Sequence, residues 1–96
     1  METKILRVVR QGEPFDVSSS KQESGTIKKC NIVLQELGGS KFENEFVCAM
    51  LGELAEKKFS EGDLVAATLR FSTHEHQGQV YQDILCTEAV KLKCER

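Results

Sequence analysis

A single change of hydrophobic period, near the middle of the chain, constrains the fold more than any other feature. Most of the sequence alternates apolar and polar side chains as strands do, most clearly over residues 64–76. Residues 52–59 instead place Leu54, Ala55 and Phe59 on one helical face, and Gly62 follows as a terminator. Because a helix of two turns is too short to stand alone, we expect it to plug one end of a small β structure.

Five segments around this helix have the pattern of strands, and their order predicts the fold class. Residues 11–25 are mostly polar and predict a long loop. The run 46–51 is apolar without a break, as in a strand that is covered on both sides. Three strands, a helix and two strands are the order of an all-β, five-stranded Greek-key barrel, the OB-fold, spanning residues 1–96 as one domain; an open sandwich is the alternative. The predicted strands are residues 4–10, 26–37, 42–51, 64–76 and 80–92.

Composition excludes several classes of protein. The 96 residues carry 13 basic and 15 acidic side chains, so the chain is no polycation, although a local basic face remains compatible with nucleic-acid binding. No apolar run approaches the roughly 20 residues that span a bilayer, and early charges argue against a signal peptide. We therefore expect a cytoplasmic protein without membrane contact. Its four cysteines, at 30, 48, 86 and 94, are expected to be reduced thiols.

Three short motifs follow one another in a characteristic order. Residues 52–56 read Gly-Glu-Leu-Ala-Glu, residues 61–65 read Glu-Gly-Asp-Leu-Val, and residues 77–81 read Gln-Gly-Gln-Val-Tyr. Over residues 25–90 the chain resembles the bacterial single-stranded DNA-binding protein family, as a short, tail-less relative similar to the primosomal replication proteins. The resemblance implies an OB-fold that binds single-stranded DNA, or RNA, without base-specific readout and without a cofactor. It also implies a homo-oligomer, dimer or tetramer, that acts with replication, recombination or repair proteins.

Basic side chains on the expected binding surface are candidates for phosphate contacts. An OB-fold binds through the face of its second and third strands and the loops that join strands one to two and four to five. Lys28 or Lys29 projects from the second strand, Lys21 lies in the long loop, and Lys41 lies in the following turn. A solvated charged face without a ligand is the alternative for each of them.

Aromatic and imidazole rings are candidates for base stacking, which tolerates any sequence because every base has a π-face. Phe42 and Phe46 share parity on the third strand, so either one faces outward as a platform or both fill the core. Tyr81 has the same two possibilities. The outer face of the fourth strand carries Arg70, His74 and, where the family has Trp, His76.

No catalytic constellation accompanies these residues, so we expect a binding protein and not an enzyme. His74 and His76 point the same way on a strand, but spacing fixes no third ligand near them, and no metal site is predicted. The acidic balance and the shortage of aromatic residues favour a second hypothesis, an OB-fold module that binds proteins and no nucleic acid.

Overall fold

The structure is a computed structural model and describes residues 2–18, 25–38 and 43–92. These residues form seven secondary-structure elements. Among them the helix interrupts a run of strands, as the change of hydrophobic period predicts. In chain order the elements are β1 (Glu2–Gln11), β2 (Phe15–Ser18), β3 (Thr26–Glu36), β4 (Glu45–Leu51), α1 (Glu53–Glu56), β5 (Leu64–His76) and β6 (Gln79–Lys91).

The strands pair in one sheet that returns upon itself. Its order is β1-β5-β6-β4-β3-β2, and β1 also pairs with β3. All pairings are antiparallel except that of β4 with β6, which runs parallel through Ala49 and Leu85. Apart from β2, each strand is therefore bonded to a neighbour on both sides, which leaves one face of the sheet directed inward.

The described residues form six strands and not the five that the sequence predicts. The additional strand, β2, lies within the segment predicted as a loop. Phe15 pairs with Lys29 and Val17 with Ile27, so β2 adds to the end of β3. Just before β2, the Gly12 amide donates to the Asn31 carbonyl at 2.8 Å, which turns the chain onto β3. Two apolar residues in a polar segment suffice here because β3 already supplies a bonded template.

Inward-facing side chains of five strands form the core. Alternate residues of β1, β3, β4, β5 and β6 are buried, as expected for strands with one face inward. Three free cysteines belong to this set, whereas Cys94 lies outside the described residues. Burial, with a contribution from Cys86, raises the pKa of the Cys48 thiol from 9.0 to about 12, so this thiol packs as a neutral side chain. The larger core residues are Leu6, Val8, Cys30, Ile32, Leu34, Cys48, Met50, Val65, Leu69 and Cys86.

The helix α1 covers the core but is shorter than the sequence predicts. It spans Glu53–Glu56, and Lys57 already has an extended conformation. The cause is a long-range contact, because the Gln11 side chain donates to the Lys57 carbonyl at 2.7 Å and accepts from the Phe59 amide at 2.8 Å. These bonds replace those of a further helical turn, while Phe59 still packs against the core.

The strands β5 and β6 form a long hairpin whose far half is exposed. Its two-residue turn has positive φ at Gln77 (52°) and at Gly78 (80°), as in a type I′ turn, where glycine is favoured. Residues 70–83 are exposed on both strands, so the hairpin extends past the core. A register shift between Thr68 and Leu69 accommodates one extra residue of β6.

The first strand is not available as a free edge over most of its length. It pairs with β5 through Glu2–Arg7 and with β3 through Leu6–Gln11. Apolar residues on both faces of this strand favour edge-to-edge pairing between two copies, but the backbone groups that such pairing needs are mostly bonded to β3 and β5. Within the residues described, no helix is both long and apolar enough to cross a bilayer.

Candidate nucleic-acid interface

The outward face of β3 and β4 is open and partly apolar. Outward residues of the two strands lie opposite each other as Lys29 with Leu51, Asn31 with Ala49, and Val33 with Val47. Val47 is 66% exposed and Leu51 is 38% exposed. The sequence predicts that the apolar run of β4 is covered on both sides, and this prediction is wrong. Among the described residues nothing packs over the outer face of the strand.

The hairpin extends this face on the other side of β4. In register, Arg70 lies opposite Leu85, Ser72 opposite Asp83, and His74 opposite Tyr81, all directed outward. The parallel pair of Ala49 with Leu85 joins the hairpin to β4. We call this continuous surface the outer groove. Its residues are Lys29, Asn31, Val47, Ala49, Leu51, Arg70, Ser72, His74, Tyr81, Asp83 and Leu85.

A cleft of about 470 Å³ lies within the outer groove. Its floor is β4, with Val47, Ala49 and Leu51, and Leu85 of β6 continues the floor. Polar side chains stand on both walls, because β3 and β6 flank β4 in the sheet. The β3 wall carries Lys29 and Asn31, and the hairpin wall carries Ser72 and Asp83. An apolar floor between polar walls suits a flat ligand with polar edges.

Two cations of the outer groove are available to an anionic ligand. Lys29 is half-buried and Arg70 is exposed, and neither has an ion pair within residues 2–18, 25–38 and 43–92. Asp83 is the acidic side chain that lines the cleft. Since Lys29 stands on the β3 wall and Arg70 on the hairpin, a phosphodiester chain that crosses β4 can meet both.

A stacked pair of rings adjoins the cleft. The rings of His74 and Tyr81 lie 5.2 Å apart at 21° to each other, and Tyr81 is 43% exposed. Asp83 Oδ2 lies 2.5 Å from His74 Nδ1 and fixes the imidazole. The pair stands one row beyond Ser72 and Asp83, about 7 Å along the strands. The structure thus assigns Tyr81 to the outer face, the alternative that the sequence leaves open.

Other predicted site residues lie elsewhere. Lys28 has the opposite parity to Lys29 and forms an ion pair with Asp16 at 3.1 Å. Phe46 packs against the core, which is the second of the two alternatives given for this residue and not the outward platform. Its ring centroid lies 6.1 Å from that of Phe71, in an edge-to-face arrangement. His76 is exposed at the end of β5, opposite Gln79. Lys21, Lys41 and Phe42 lie outside the described residues.

Sequence reasoning missed several residues of the outer groove. Val47 and Leu51 belong to an apolar run, and such runs usually indicate burial. Asp83 lies on the fifth predicted strand, where the sequence leaves the side of Tyr81 open. The available signal is the alternation of β6, because Ile84 and Cys86 face inward and so direct Asp83 outward. Within the described parts of the chain, no three His, Cys, Asp or Glu side chains are grouped as a metal site would require.

Comparisons with known proteins identify the fold. A scan against protein-family models finds no match, and a search of curated proteins finds none either. Among solved structures, the chain is similar to the second OB-fold domain of replication protein A from Methanococcus maripaludis, with a TM-score of 0.68 at 14% identity. The match covers 98% of this chain and 85% of that one. The chain therefore has the OB-fold, as its element order predicts.

Proposed function

We propose that this protein binds single-stranded nucleic acid, DNA in the first place, along the outer groove. The observation that carries the proposal is the coincidence of three features on one face. An apolar floor on β4, two cations without an ion pair among the described residues and a stacked ring pair lie side by side. OB-folds bind oligonucleotides on this face of the sheet and in the loop between their last two strands, which here is the β5–β6 hairpin.

The chemistry of the outer groove suits an unpaired strand better than a duplex. Bases of a single strand can lie on apolar or aromatic surfaces, at about 1–3 kcal/mol per stacked base. Tyr81 and the β4 floor offer such surfaces, while Lys29 and Arg70 are placed for phosphates. In a duplex the flat faces of the bases are covered, so neither the rings nor the floor would contribute.

A role beside replication, recombination or repair proteins belongs to the same proposal. The structural neighbour is a domain of a protein named for replication, and the sequence motifs resemble a family with that role. A homo-oligomer also remains part of the proposal, because one OB domain has a small footprint and several copies would share a longer strand. Sedimentation velocity at micromolar protein tests this part, and a monomer throughout would reject it.

Fluorescence anisotropy of a labelled oligo-dT at low salt tests the main proposal. Saturable binding is expected, and Arg70→Ala is expected to weaken it. Weak single-strand binders are still detected with dissociation constants near 100 µM, at about the limit of non-specific affinity. An unchanged anisotropy up to that protein concentration, with oligo-dT and with oligo-dC, would reject nucleic-acid binding.

The exposed apolar floor supports a second candidate, a module that binds a polypeptide. Val47 and Leu51 present aliphatic surface to solvent, and β2 has a free edge within the described residues. An extended peptide could add to such an edge. Affinity capture from nuclease-treated lysate discriminates between the two, because a protein retained through Val47 and lost in Val47→Glu would favour the second.

A further inference from the structure

A carboxylate stands in the outer groove where a surface for phosphates alone would carry none. Asp83 lines the cleft, and its side chain is 54% exposed. Its Oδ2 atom is bound to His74 Nδ1. In the part of the chain that the structure describes, Oδ1 has no partner and remains able to accept a hydrogen bond. Since a carboxylate repels phosphate, its place here needs another explanation.

An ionised carboxylate accepts hydrogen bonds and donates none, which limits the groups that it can bind. The donors on unpaired bases are the exocyclic amino groups of cytosine, adenine and guanine, together with ring N–H groups. Aspartate accepts well from the N4 amino group of cytosine. At the same position thymine has the O4 oxygen, an acceptor that would face the carboxylate with like polarity.

The placement of the cleft residues fits one nucleotide oriented across β4. Lys29 stands on the β3 wall and Asp83 on the hairpin wall, with the apolar floor between them. A phosphate at Lys29 and a base on the floor direct the polar edge of that base toward Asp83. His74 holds the carboxylate in place and is itself held against Tyr81.

We propose that Asp83 reads the exocyclic amino group of one base, so that the outer groove prefers cytosine to thymine. This inference rests on the proposed binding of single strands and departs from the expectation of binding without base readout. Contacts to phosphates and ring faces elsewhere in the groove stay tolerant of sequence. The selectivity therefore arises at one nucleotide, and its size is that of one base contact.

Competition between labelled oligo-dC and oligo-dT of equal length, at pH 7.5, tests the inference. The wild-type protein is expected to bind oligo-dC about tenfold more tightly, within the range of one base-specific contact. Asp83→Asn is expected to bring this ratio close to one, because the amide can donate to O4 of thymine as well as accept from N4 of cytosine. The same change is expected to raise the affinity for oligo-dT, since it removes a charge that repels phosphate.

Asp16→Asn is the matched control. Asp16, like Asp83, is an exposed strand aspartate bound to a neighbouring side chain, here Lys28, and it lies on β2, away from the cleft. It should keep the wild-type preference, and thermal melts of both variants show whether they fold. Equal affinity of the wild type for the two oligonucleotides, or a preference that survives in Asp83→Asn, would overturn the inference while the proposed function stands. Binding to neither oligonucleotide would reject the proposed function itself.

Discussion

The salt dependence of single-strand binding can be calculated from the charges of the outer groove. When a cation of the protein neutralises a phosphate, counterions leave the nucleic acid, and affinity then falls as salt rises. For single strands, log K falls against log[salt] with a slope of about 0.7 per phosphate. Lys29 and Arg70 are the two cations of the groove among the described residues, so their joint contribution to the slope is about 1.4.

This slope gives measurable changes in affinity. Between about 50 and 200 mM salt, a slope of 1.4 lowers the affinity about sevenfold, and a slope of 0.7 lowers it between twofold and threefold. Lys29→Ala and Arg70→Ala should each reduce the slope by about 0.7. Lys28→Ala is the matched control, because Lys28 is the neighbouring lysine on the same strand but faces the other way and pairs with Asp16.

Anisotropy titrations of one oligonucleotide at four or more salt concentrations give the slope for each variant. We expect a reduced slope in Lys29→Ala and an unchanged slope in Lys28→Ala. The same slope in the wild type and in both groove variants would refute it, because phosphates would then be bound elsewhere. Lys21→Ala and Lys41→Ala test by the same readout whether these two lysines, which lie outside the described residues, contact the strand.

Three further predictions concern stacking and stability. Tyr81→Ala should weaken oligonucleotide binding by about 1–3 kcal/mol in the same titration, whereas Phe15→Ala, which removes an equally exposed ring on β2, should not; equal losses would contradict a stacking role. Leu69→Ala leaves a cavity at a fully buried position and should lower the free energy of unfolding, measured in urea, by about 2–5 kcal/mol. The control Leu37→Ala, at an exposed position, should lower it by less than about 0.5 kcal/mol. Similar losses in the two variants would contradict the described core. Burial raises the pKa of the Cys48 thiol from 9.0 to about 12, so the thiol stays protonated in the folded state at pH values where it ionises in the unfolded state. The free energy of unfolding should therefore fall between these two pH values, by up to about 1.4 kcal/mol per pH unit. Cys48→Ala should make that fall less steep, and the same dependence of stability on pH in this variant and in the wild type would place the thiol outside the core.

The sequence predicts those parts of the fold whose pattern is local. Alternation over residues 64–76 predicts β5 to both of its ends, although burial of the apolar face ends at Leu69. It also places Arg70 and His74 on the outer face, where the structure has them. Gly78 marks the hairpin turn, because its positive φ favours a residue without a side chain.

Features that depend on contacts between residues far apart in the sequence cannot be predicted from local patterns. The length of α1 is set by the side chain of Gln11, which lies 46 residues before Lys57 in the chain, and no local pattern shows this bond. The strand β2 exists because β3 extends beyond the core and offers free backbone groups. Phe71 has the parity of the core residues, but it lies beyond the end of the core and stays 40% exposed.

The outer groove is only partly predictable from the sequence for the same reason. The sequence alone does not show which of the neighbouring residues Lys28 and Lys29 faces outward. The register of β3 with β4 shows that Lys29 borders the cleft. An apolar run such as β4 indicates burial unless the covering layer is known to be missing. Exposed aliphatic side chains between polar walls are therefore a feature that only the assembled sheet reveals.

Chemical-shift mapping shows most directly whether a single strand lies along the outer groove, because it locates a bound strand residue by residue. The amide spectrum of the labelled protein is recorded during titration with an unlabelled single-stranded oligonucleotide. We expect the perturbed amides to cluster on β4, on the outward positions of β3 and on residues 70–85 of the hairpin. Perturbations confined to outward positions away from the groove, around Ile5, Ala66 and Val90 on β1, β5 and β6, or a spectrum that does not change, would contradict it.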